Sequence, residues 1–288
     1  MSYSSNFISN TCLLKTNMSN ISVSIADTIA NGTSPVLDIN PVLGSELSIH
    51  NRFFLKYPLV PYSMVSFYIL FVEWIGPEMM KYRKPYSLQK VLIVYNLLQA
   101  FANLCIAYTA IDGIIKYWDS RCLIRNSPKL QEMLEAALMP AYNLYIIKFI
   151  DLLDTVFFVL RKKQSQVSFL HVFHHAGMCL IYYWGLSILY KAPGFYMAVG
   201  FAINTVVHVI MYTYYGLSAI GPKMQKYLWW KKHLTRLQIG QIFFILSYML
   251  YGFLTGCEEF GNMEFYGFAY GSITLLLFLN FYRKYKQH

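Results

Sequence analysis

Charged residues are scarce in this sequence, and acidic residues are the scarcest. Asp, Glu, Lys and Arg make up 13% of the 288 residues, whereas about 25% is usual in soluble domains. Hydrophobic residues account for 56%. Together with long apolar runs, this composition excludes an ordinary soluble domain and indicates a polytopic membrane protein. The net charge of +10 is therefore explained first by the positive-inside rule, which describes an excess of Lys and Arg in cytosolic loops. No nucleic-acid partner is expected.

Apolar runs are missing from the first 55 residues, which are polar and rich in Ser and Asn. Without a hydrophobic stretch there, we expect no cleavable signal peptide. We predict a weakly structured arm over 1–55. It holds three N-x-S/T sequons, which predict N-glycosylation and hence a lumenal N-terminus. The acceptor residues are Asn17, Asn20 and Asn31.

Seven apolar runs follow the arm, each about as long as a helix needs to cross a bilayer. They predict an all-α polytopic membrane protein with seven transmembrane helices over 56–282 and a basic tail over 283–288. Because seven is odd, the termini lie on opposite sides of the membrane. The runs are 62–80, 88–111, 138–160, 168–189, 195–217, 234–256 and 263–282.

The basic residues of the connecting segments indicate the orientation. With the N-terminus in the lumen, 15 of the 24 basic residues fall in cytosolic segments, and no Asp or Glu lies among them. This asymmetry is the one that the positive-inside rule describes. These basic residues are Lys81, Arg83, Lys84, Lys90, Arg161, Lys162, Lys163, Lys223, Lys226, Lys231, Lys232, Arg236, Arg283, Lys284 and Lys286.

The cytosolic tail matches a known retrieval signal. Lys286 and Lys284 stand third and fifth from its end, as in the dilysine signal that retrieves membrane proteins to the endoplasmic reticulum. A basic cluster that stops membrane insertion has the same composition, so both interpretations stay open. We predict an endoplasmic reticulum membrane protein with a cytosolic C-terminus.

Two cysteines fall in loops assigned to the lumen, an oxidising compartment. We predict that Cys122 and Cys257 form a disulfide there. Spacing along a chain does not prove that two loops meet, so two free thiols are the alternative.

Three imidazoles gather in the fourth run. His171, His174 and His175 stand at positions i, i+3 and i+4 of an otherwise apolar segment, so in a helix they leave from one face. Ionisable groups within a membrane are costly and usually functional. These histidines are therefore the first candidates for catalysis, ahead of the alternative of packed core histidines.

Two further runs carry polar side chains at helical spacing. The third run contains Lys148, Asp151 and Asp154, which either form a structural ion pair or orient the histidines of the next run. The fifth run contains Asn204 and His208 at i and i+4, either as hydrogen-bonding groups between helices or as part of a site.

Membrane-embedded histidines fit two kinds of enzyme. Desaturases and hydroxylases bind a di-iron centre through many histidines, but only His171, His174, His175 and His208 lie within the runs, enough for a single Zn²⁺ at most. Alternatively, an imidazole attacks a thioester and forms an acyl-imidazole, which is an activated acyl donor. Asn and Lys side chains then stabilise the oxyanion. A lipid-binding or transport protein is a third class.

Several motifs, in this order, resemble those of the ELO family of very-long-chain fatty acid elongases, the condensing enzymes of the endoplasmic reticulum. The resemblance runs from about residue 52 to the C-terminus. Where the family usually has Glu, this chain has Asp151, whose side chain is one methylene shorter. The motifs are Arg83-Lys-Pro-Tyr86, Val94-Tyr-Asn96, Lys148-x-x-Asp151-x-x-Asp154-Thr155, Leu160-Arg-Lys-Lys163, His171-x-x-His174-His175, Asn204-x-x-x-His208-x-x-Met211-Tyr212 and Trp229-Trp-Lys-Lys232 with Gln238.

The resemblance implies that the last six helices form a barrel around an acyl-chain tunnel open to the cytosol. It also implies the reaction: long-chain acyl-CoA and malonyl-CoA give 3-oxoacyl-CoA, CO₂ and CoA, with no bound cofactor or metal. His174 is expected to form an acyl-imidazole in a ping-pong mechanism, and Asn204 and His208 to stabilise the enolate or oxyanion. The residues expected to orient His174 are His171, His175, Asp151 and Asp154.

CoA binding is expected at the cytosolic mouth, although the positive-inside rule accounts equally well for basic loops. Tyr212, Tyr214 and Tyr215 are interpreted as part of an aromatic belt at the membrane surface. Chain-length preference is expected to depend on bulk at the closed end, with Tyr182, Tyr183 and Trp184 facing either tunnel or lipid. The residues expected to bind substrate and CoA are Lys148, Arg161, Lys163, Gln166, Tyr214, Lys231, Thr235 and Gln238.

The expected partners follow from the same resemblance. They are the lipid bilayer, the two CoA thioesters, and the other enzymes of the elongation cycle: a 3-ketoacyl-CoA reductase, a dehydratase and an enoyl reductase. Homo- and hetero-oligomers are both left open.

Overall fold

The computed structural model describes residues 51–122, 128–188, 194–257 and 261–287. Within these ranges all regular structure is helical, which confirms the all-α part of the predicted fold. Most of the N-terminal arm lies outside the described residues, together with Asn17, Asn20 and Asn31. Their glycosylation stays a prediction.

Seven long helices follow one another in the described ranges. The first, α1, spans Leu59–Met80 and contains a π-helical turn, Phe71–Ile75. Pro77 follows this turn and lacks the N–H that a regular α-helix needs. The other long helices are α2, Gln89–Lys116; α3, Leu130–Leu160; α4, Phe169–Ile188; α5, Phe195–Ile220; α6, Lys231–Leu254; and α7, Asn262–Gln287. Short helices lie at Phe53–Lys56 and Pro222–Gln225.

Five of the seven predicted spans are confirmed as helices long and apolar enough to cross a membrane. They are α1, α2 and α5, with His233–Leu254 of α6 and Glu264–Lys284 of α7. The predicted spans 138–160 and 168–189 lie within α3 and α4, which have 31 and 20 residues. The predicted span within α3 carries three charged side chains, and the one within α4 carries three imidazoles. Their position in a membrane stays a prediction.

Helix ends meet in pairs that agree with alternating helix directions. Before α2, the Tyr86 N–H donates to the oxygen of Leu160 at the end of α3, at 3.1 Å. Gln89 Nε2, at the start of α2, donates to the oxygen of Ile220 at the end of α5, at 3.0 Å. The start of α2 and the ends of α3 and α5 therefore lie at the same end of the bundle.

At the opposite end, a disulfide joins the segments that follow α2 and α6. Cys122 and Cys257 are covalently linked, with 4.2 Å between their Cα atoms and a sequence separation of 135. The link closes a loop that contains α3, α4, α5 and α6. Holding these ends together restricts the unfolded chain.

The helices from α2 to α7 contact one another in a cycle. α2 packs against α3 and α5, α3 against α4, α4 against α7, α7 against α6, and α6 against α5. The α2–α5 contact is the most extensive, and a Cβ placed on Gly216 of α5 would lie only 3.4 Å from Asn96 Cβ of α2. α1 packs against α3 and α4, with Tyr68 OH 2.8 Å from Thr155 Oγ1.

Candidate active site

Polar side chains from three helices meet around Asp151 of α3, which is 2% exposed. Its Oδ1 accepts hydrogen bonds from Gln99 Nε2 of α2 and, at 2.8 Å, from Tyr212 OH of α5. Its Oδ2 lies 3.5 Å from Lys148 Nζ, one turn earlier in α3. A carboxylate can stay ionised in such a buried position only when it is paired and hydrogen-bonded. Although the Asp151 side chain is one methylene shorter than the Glu usual in the family that this chain resembles, both of its carboxyl oxygens have polar partners here.

Lys148, also 2% exposed, connects this carboxylate to two further helices. Its Nζ donates to Asn204 Oδ1 of α5 at 2.9 Å and lies 5.6 Å from the ring centroid of Tyr182 of α4. The ammonium thus has a charge partner, an amide acceptor and an aromatic face. Because Lys148 occupies the oxygen of Asn204, the amide NH₂ of Asn204 is left to donate to a bound group.

Asp154 shares one tyrosine hydroxyl with Asp151. Tyr212 OH lies 2.8 Å from Asp151 Oδ1 and 2.8 Å from Asp154 Oδ2. A hydroxyl carries one hydrogen, so it donates to one carboxyl group and accepts from the other, which must be protonated. Because Asp151 faces the Lys148 ammonium, the geometry places this proton on Asp154. The cluster is then neutral, as burial within a membrane favours.

The three histidines of α4 lie beside one another. The ring centroids of His171 and His175 are 4.2 Å apart, and those of His174 and His175 are 5.8 Å apart. Three imidazole nitrogens are buried without a hydrogen-bond partner in the described ranges: His171 Nε2, His174 Nδ1 and His208 Nδ1. The last lies 3.8 Å from Asp151 Oδ2, too far for a hydrogen bond. Buried polar atoms normally have partners, so these nitrogens are available to a ligand or water.

A metal site was the alternative use of these histidines. Within the part of the chain that the structure describes, no three His, Cys, Asp or Glu side chains are grouped so that they could hold a metal ion. The absence of a bound metal stays a prediction.

A close contact between α4 and α7 fixes the position of His174. Tyr270 OH of α7 donates to the backbone oxygen of His174 at 3.0 Å, and the Tyr270 ring stacks on Phe173 with 5.4 Å between centroids. A Cβ on Gly177 would lie 2.5 Å from the Tyr270 ring. Because Gly177 has no side chain, Tyr270 can lie directly against α4.

His174 and Asn204 line one cavity, which we call the active-site cavity. It has a volume of about 200 Å³ and lies between α4, α5, α6 and α7. Apart from these two residues its wall is largely aliphatic and aromatic, including Met178, Ile245 and Leu246. An apolar cavity with a few polar groups is the usual form of a ligand site. Here the wall suits an apolar ligand with a polar group at His174 and Asn204.

The residues predicted to bind CoA lie mostly at helix ends. Arg161, Lys163 and Gln166 lie in the connection after α3, and Lys231 begins α6. Thr235 and Gln238 follow in α6, where Gln238 Nε2 is 3.4 Å from Met211 Sδ. By contrast, Lys148 is in the central cluster. Tyr214 is 5% exposed and packs on the ring of Trp230. Their roles with CoA stay predictions.

Two residues of the cluster were missed or misjudged from the sequence. The aromatic-belt interpretation of Tyr212 is wrong, because its side chain is fully buried and bonded to both aspartates. Gln99 was not singled out. It is buried on α2 with Asn96 and Asn103, and their spacing of three and four residues within an apolar run is a signal that could have found it.

Comparisons with known proteins identify the family to which this chain belongs. The chain matches the model of the ELO (GNS1/SUR4) family over residues 53–288. It is 39% identical to very long chain fatty acid elongase 7 of Rattus norvegicus over 258 residues, which cover 85% of this chain and 88% of that protein. It is 40% identical to human elongase 1, with 78% and 80% of the two chains covered. For human elongase 4 the identity is 38%, with 83% and 75% covered.

Proposed function

This chain belongs to the ELO family, and we propose that it is a condensing enzyme of fatty acid elongation in the endoplasmic reticulum membrane. The relatives named above support a role in fatty acid elongation. The reaction would join a long-chain acyl-CoA to malonyl-CoA, giving 3-oxoacyl-CoA, CO₂ and CoA. One observation carries the proposal: His174, with a buried and unpartnered Nδ1, lines an apolar cavity together with Asn204.

In the first half-reaction, the imidazole of His174 attacks the thioester carbonyl of the acyl-CoA. A C–N bond forms, the C–S bond breaks, and CoA leaves as the thiol after taking up the imidazole proton. The Asn204 NH₂ is placed at the cavity wall to donate to the oxyanion. Asp151 acts through Lys148, which lies 3.5 Å away and in turn donates to Asn204. Asp154 acts through Tyr212, whose hydroxyl it shares with Asp151.

In the second half-reaction, malonyl-CoA loses CO₂ and becomes the enolate of acetyl-CoA. The enolate carbon attacks the acyl-imidazole, forming the new C–C bond, and the imidazole leaves as a neutral ring after protonation. His208, 3.8 Å from Asp151, belongs to the same face of α5 as Asn204 and would stabilise the enolate. CoA release before malonyl-CoA reacts makes the kinetics ping-pong.

The wider arrangement is part of the same proposal. The chain would cross the membrane seven times, and the cycle of α2 to α7 would form a barrel around the acyl chain. The basic residues at the end of α3 and the start of α6 would then lie at the cytosolic opening of this barrel. There Arg161, Lys163 and Lys231 would meet CoA phosphates. The other enzymes of the elongation cycle would take up the 3-oxoacyl-CoA product.

The test is elongation in microsomes that express this chain, with ¹⁴C-labelled malonyl-CoA and a panel of acyl-CoAs. Label in the two malonyl carbons that are transferred should appear in products two carbons longer. Label in the free carboxyl group should be released as ¹⁴CO₂. His174→Ala should lose covalent acyl labelling and turnover together, whereas Ser63→Ala, an exposed position on α1, should keep both. Normal turnover of His174→Ala would remove the nucleophile assignment.

The same preparation separates the other classes. A metal-dependent desaturase would lose activity with a chelator and would contain stoichiometric iron or zinc by elemental analysis. A lipid-binding protein would bind acyl-CoA without releasing ¹⁴CO₂. We expect neither result, because the chain matches the ELO family model over residues 53–288.

A further inference from the structure

Two side chains line both the active-site cavity and a second apolar cavity. The second cavity has a volume of about 100 Å³ and lies between α2, α3 and α5. Met197 and Phe201 of α5 line both cavities. They therefore form a shared wall between the space beside His174 and a space that the proposed reaction does not use.

The shared wall lies on the face of α5 that carries Asn204. Met197, Phe201 and Asn204 stand at i, i+4 and i+7, so they follow one another along one face. With a rise of about 1.5 Å per residue, Met197 lies roughly 10 Å beyond Asn204 along the helix. An acyl chain with its carbonyl at Asn204 would thus meet Phe201 and then Met197.

Helix α4 supports both side chains of the wall. The Phe201 ring stacks on the buried ring of Tyr182, with 5.0 Å between centroids. Met197 lies across Gly185, where an added Cβ would be 3.3 Å from Met197 Cε. The wall is therefore held by packing, and removing one of its side chains should open it rather than let a neighbour fill the gap.

The second cavity suits the methyl end of a hydrocarbon chain. Its wall includes Ile106, Leu134, Ala137 and Ala198. The hydroxyl of Thr109, one of its few polar groups, donates to carbonyl oxygens of its own helix. Burying each further methylene there would strengthen binding roughly fourfold, or about 15-fold for a two-carbon unit.

We infer that Met197 and Phe201 set the maximum acyl-chain length by closing the second cavity to the chain. The inference rests on the proposed function, since it identifies the occupant of the active-site cavity as an acyl chain. Opening the wall would join the two cavities and admit chains at least one two-carbon unit longer.

The experiment compares Phe201→Ala and Met197→Ala with the unmodified protein, using saturated acyl-CoAs that increase by two carbons. The readout is the ratio of rates between the longest acyl-CoA that the unmodified protein accepts and the next longer one. We expect this ratio to shift toward the longer substrate about tenfold in Phe201→Ala. Phe243→Ala of α6 is the same substitution at a position that is 62% exposed and lines neither cavity, and it should leave the ratio unchanged.

A second substitution makes the test specific to the second cavity. Ala137→Phe of α3 places a ring in that cavity. Combined with Phe201→Ala it should restore the original length limit, and alone it should change nothing. Elution as a single species in detergent shows that each variant is folded.

Each outcome tests either the role of Met197 and Phe201 or the proposed function. If Phe201→Ala and Met197→Ala are active and keep the same length limit, the inference that these two side chains limit the acyl chain is wrong. A shorter limit in Ala137→Phe alone also overturns it, because the chain would then already occupy the second cavity. If the unmodified protein elongates no acyl-CoA, the proposed function fails instead, and binding of long-chain acyl-CoA by the same variants tests the wall separately.

Discussion

Replacing the two aspartates of α3 one at a time tests the proton that the geometry places between them. Asp151→Asn and Asp154→Asn are the same chemical change three residues apart, and each removes one carboxyl group from Tyr212 OH. If Asp151 is ionised and Asp154 protonated, the first change removes a charge and the second does not. The two variants should therefore differ greatly.

The magnitudes follow from the partners. Asp151→Asn leaves the buried Lys148 ammonium without its carboxylate at 3.5 Å, and breaking a buried pair costs about 3–5 kcal/mol. In Asp154→Asn the amide NH₂ replaces the carboxylic O–H as donor to Tyr212. That exchange of one neutral hydrogen bond for another costs about 1 kcal/mol or less. A difference of roughly 3 kcal/mol corresponds to more than 100-fold in an equilibrium constant.

The assay is the half-life of the detergent-solubilised protein at a fixed raised temperature, together with the rate of malonyl-CoA condensation. Asp151→Asn should inactivate much faster and condense poorly, and Asp154→Asn should stay near the unmodified protein in both. Equal damage in the two variants would mean that both carboxylates are ionised. Greater damage in Asp154→Asn would put the proton on Asp151.

Three more variants test the parts that hold the site. Tyr212→Phe removes the shared hydroxyl and should cost about 1–3 kcal/mol for each buried carboxyl oxygen left unpaired, whereas Tyr251→Phe, 62% exposed, should leave the inactivation half-life unchanged. Gly177→Ala should cost about 1–3 kcal/mol and lower condensation, because its Cβ would meet the Tyr270 ring at 2.5 Å; an unchanged half-life would show that α7 simply shifts. Cys122→Ser should shorten the half-life by an amount equivalent to about 2–5 kcal/mol, and an unchanged half-life would show that this disulfide adds no stability.

The sequence predicts most of the fold because hydrophobic length and charge asymmetry act locally. The apolar runs place five spanning helices, and the histidine spacing places His171 and His175 in ring contact. The loops that were assigned to the lumen from charge do bring Cys122 and Cys257 together. These inferences need only the period of a helix and the number of crossings.

What the sequence does not predict depends on which faces of different helices meet. Tyr182 lines the active-site cavity, whereas its neighbour Tyr183 packs against Tyr62 of α1 and Trp184 donates to Tyr62 OH. Helical spacing alone leaves open which of the three faces the cavity. The wall formed by Met197 and Phe201 is likewise a property of packing, because neither residue type signals a site.

The two helices least suited by composition to a membrane are the ones that carry the site. In α3 the charges of Lys148 and Asp151 cannot be left unpaired in a low-dielectric interior. Their partners come from other helices: Gln99 of α2, and Asn204 and Tyr212 of α5. α3 can therefore be stable in the bundle only once α2 and α5 are packed around it. Assembly of the bundle and assembly of the catalytic cluster are then the same event, so substitutions at these polar positions should reduce stability and activity together, whereas substitutions at His174 should reduce activity alone.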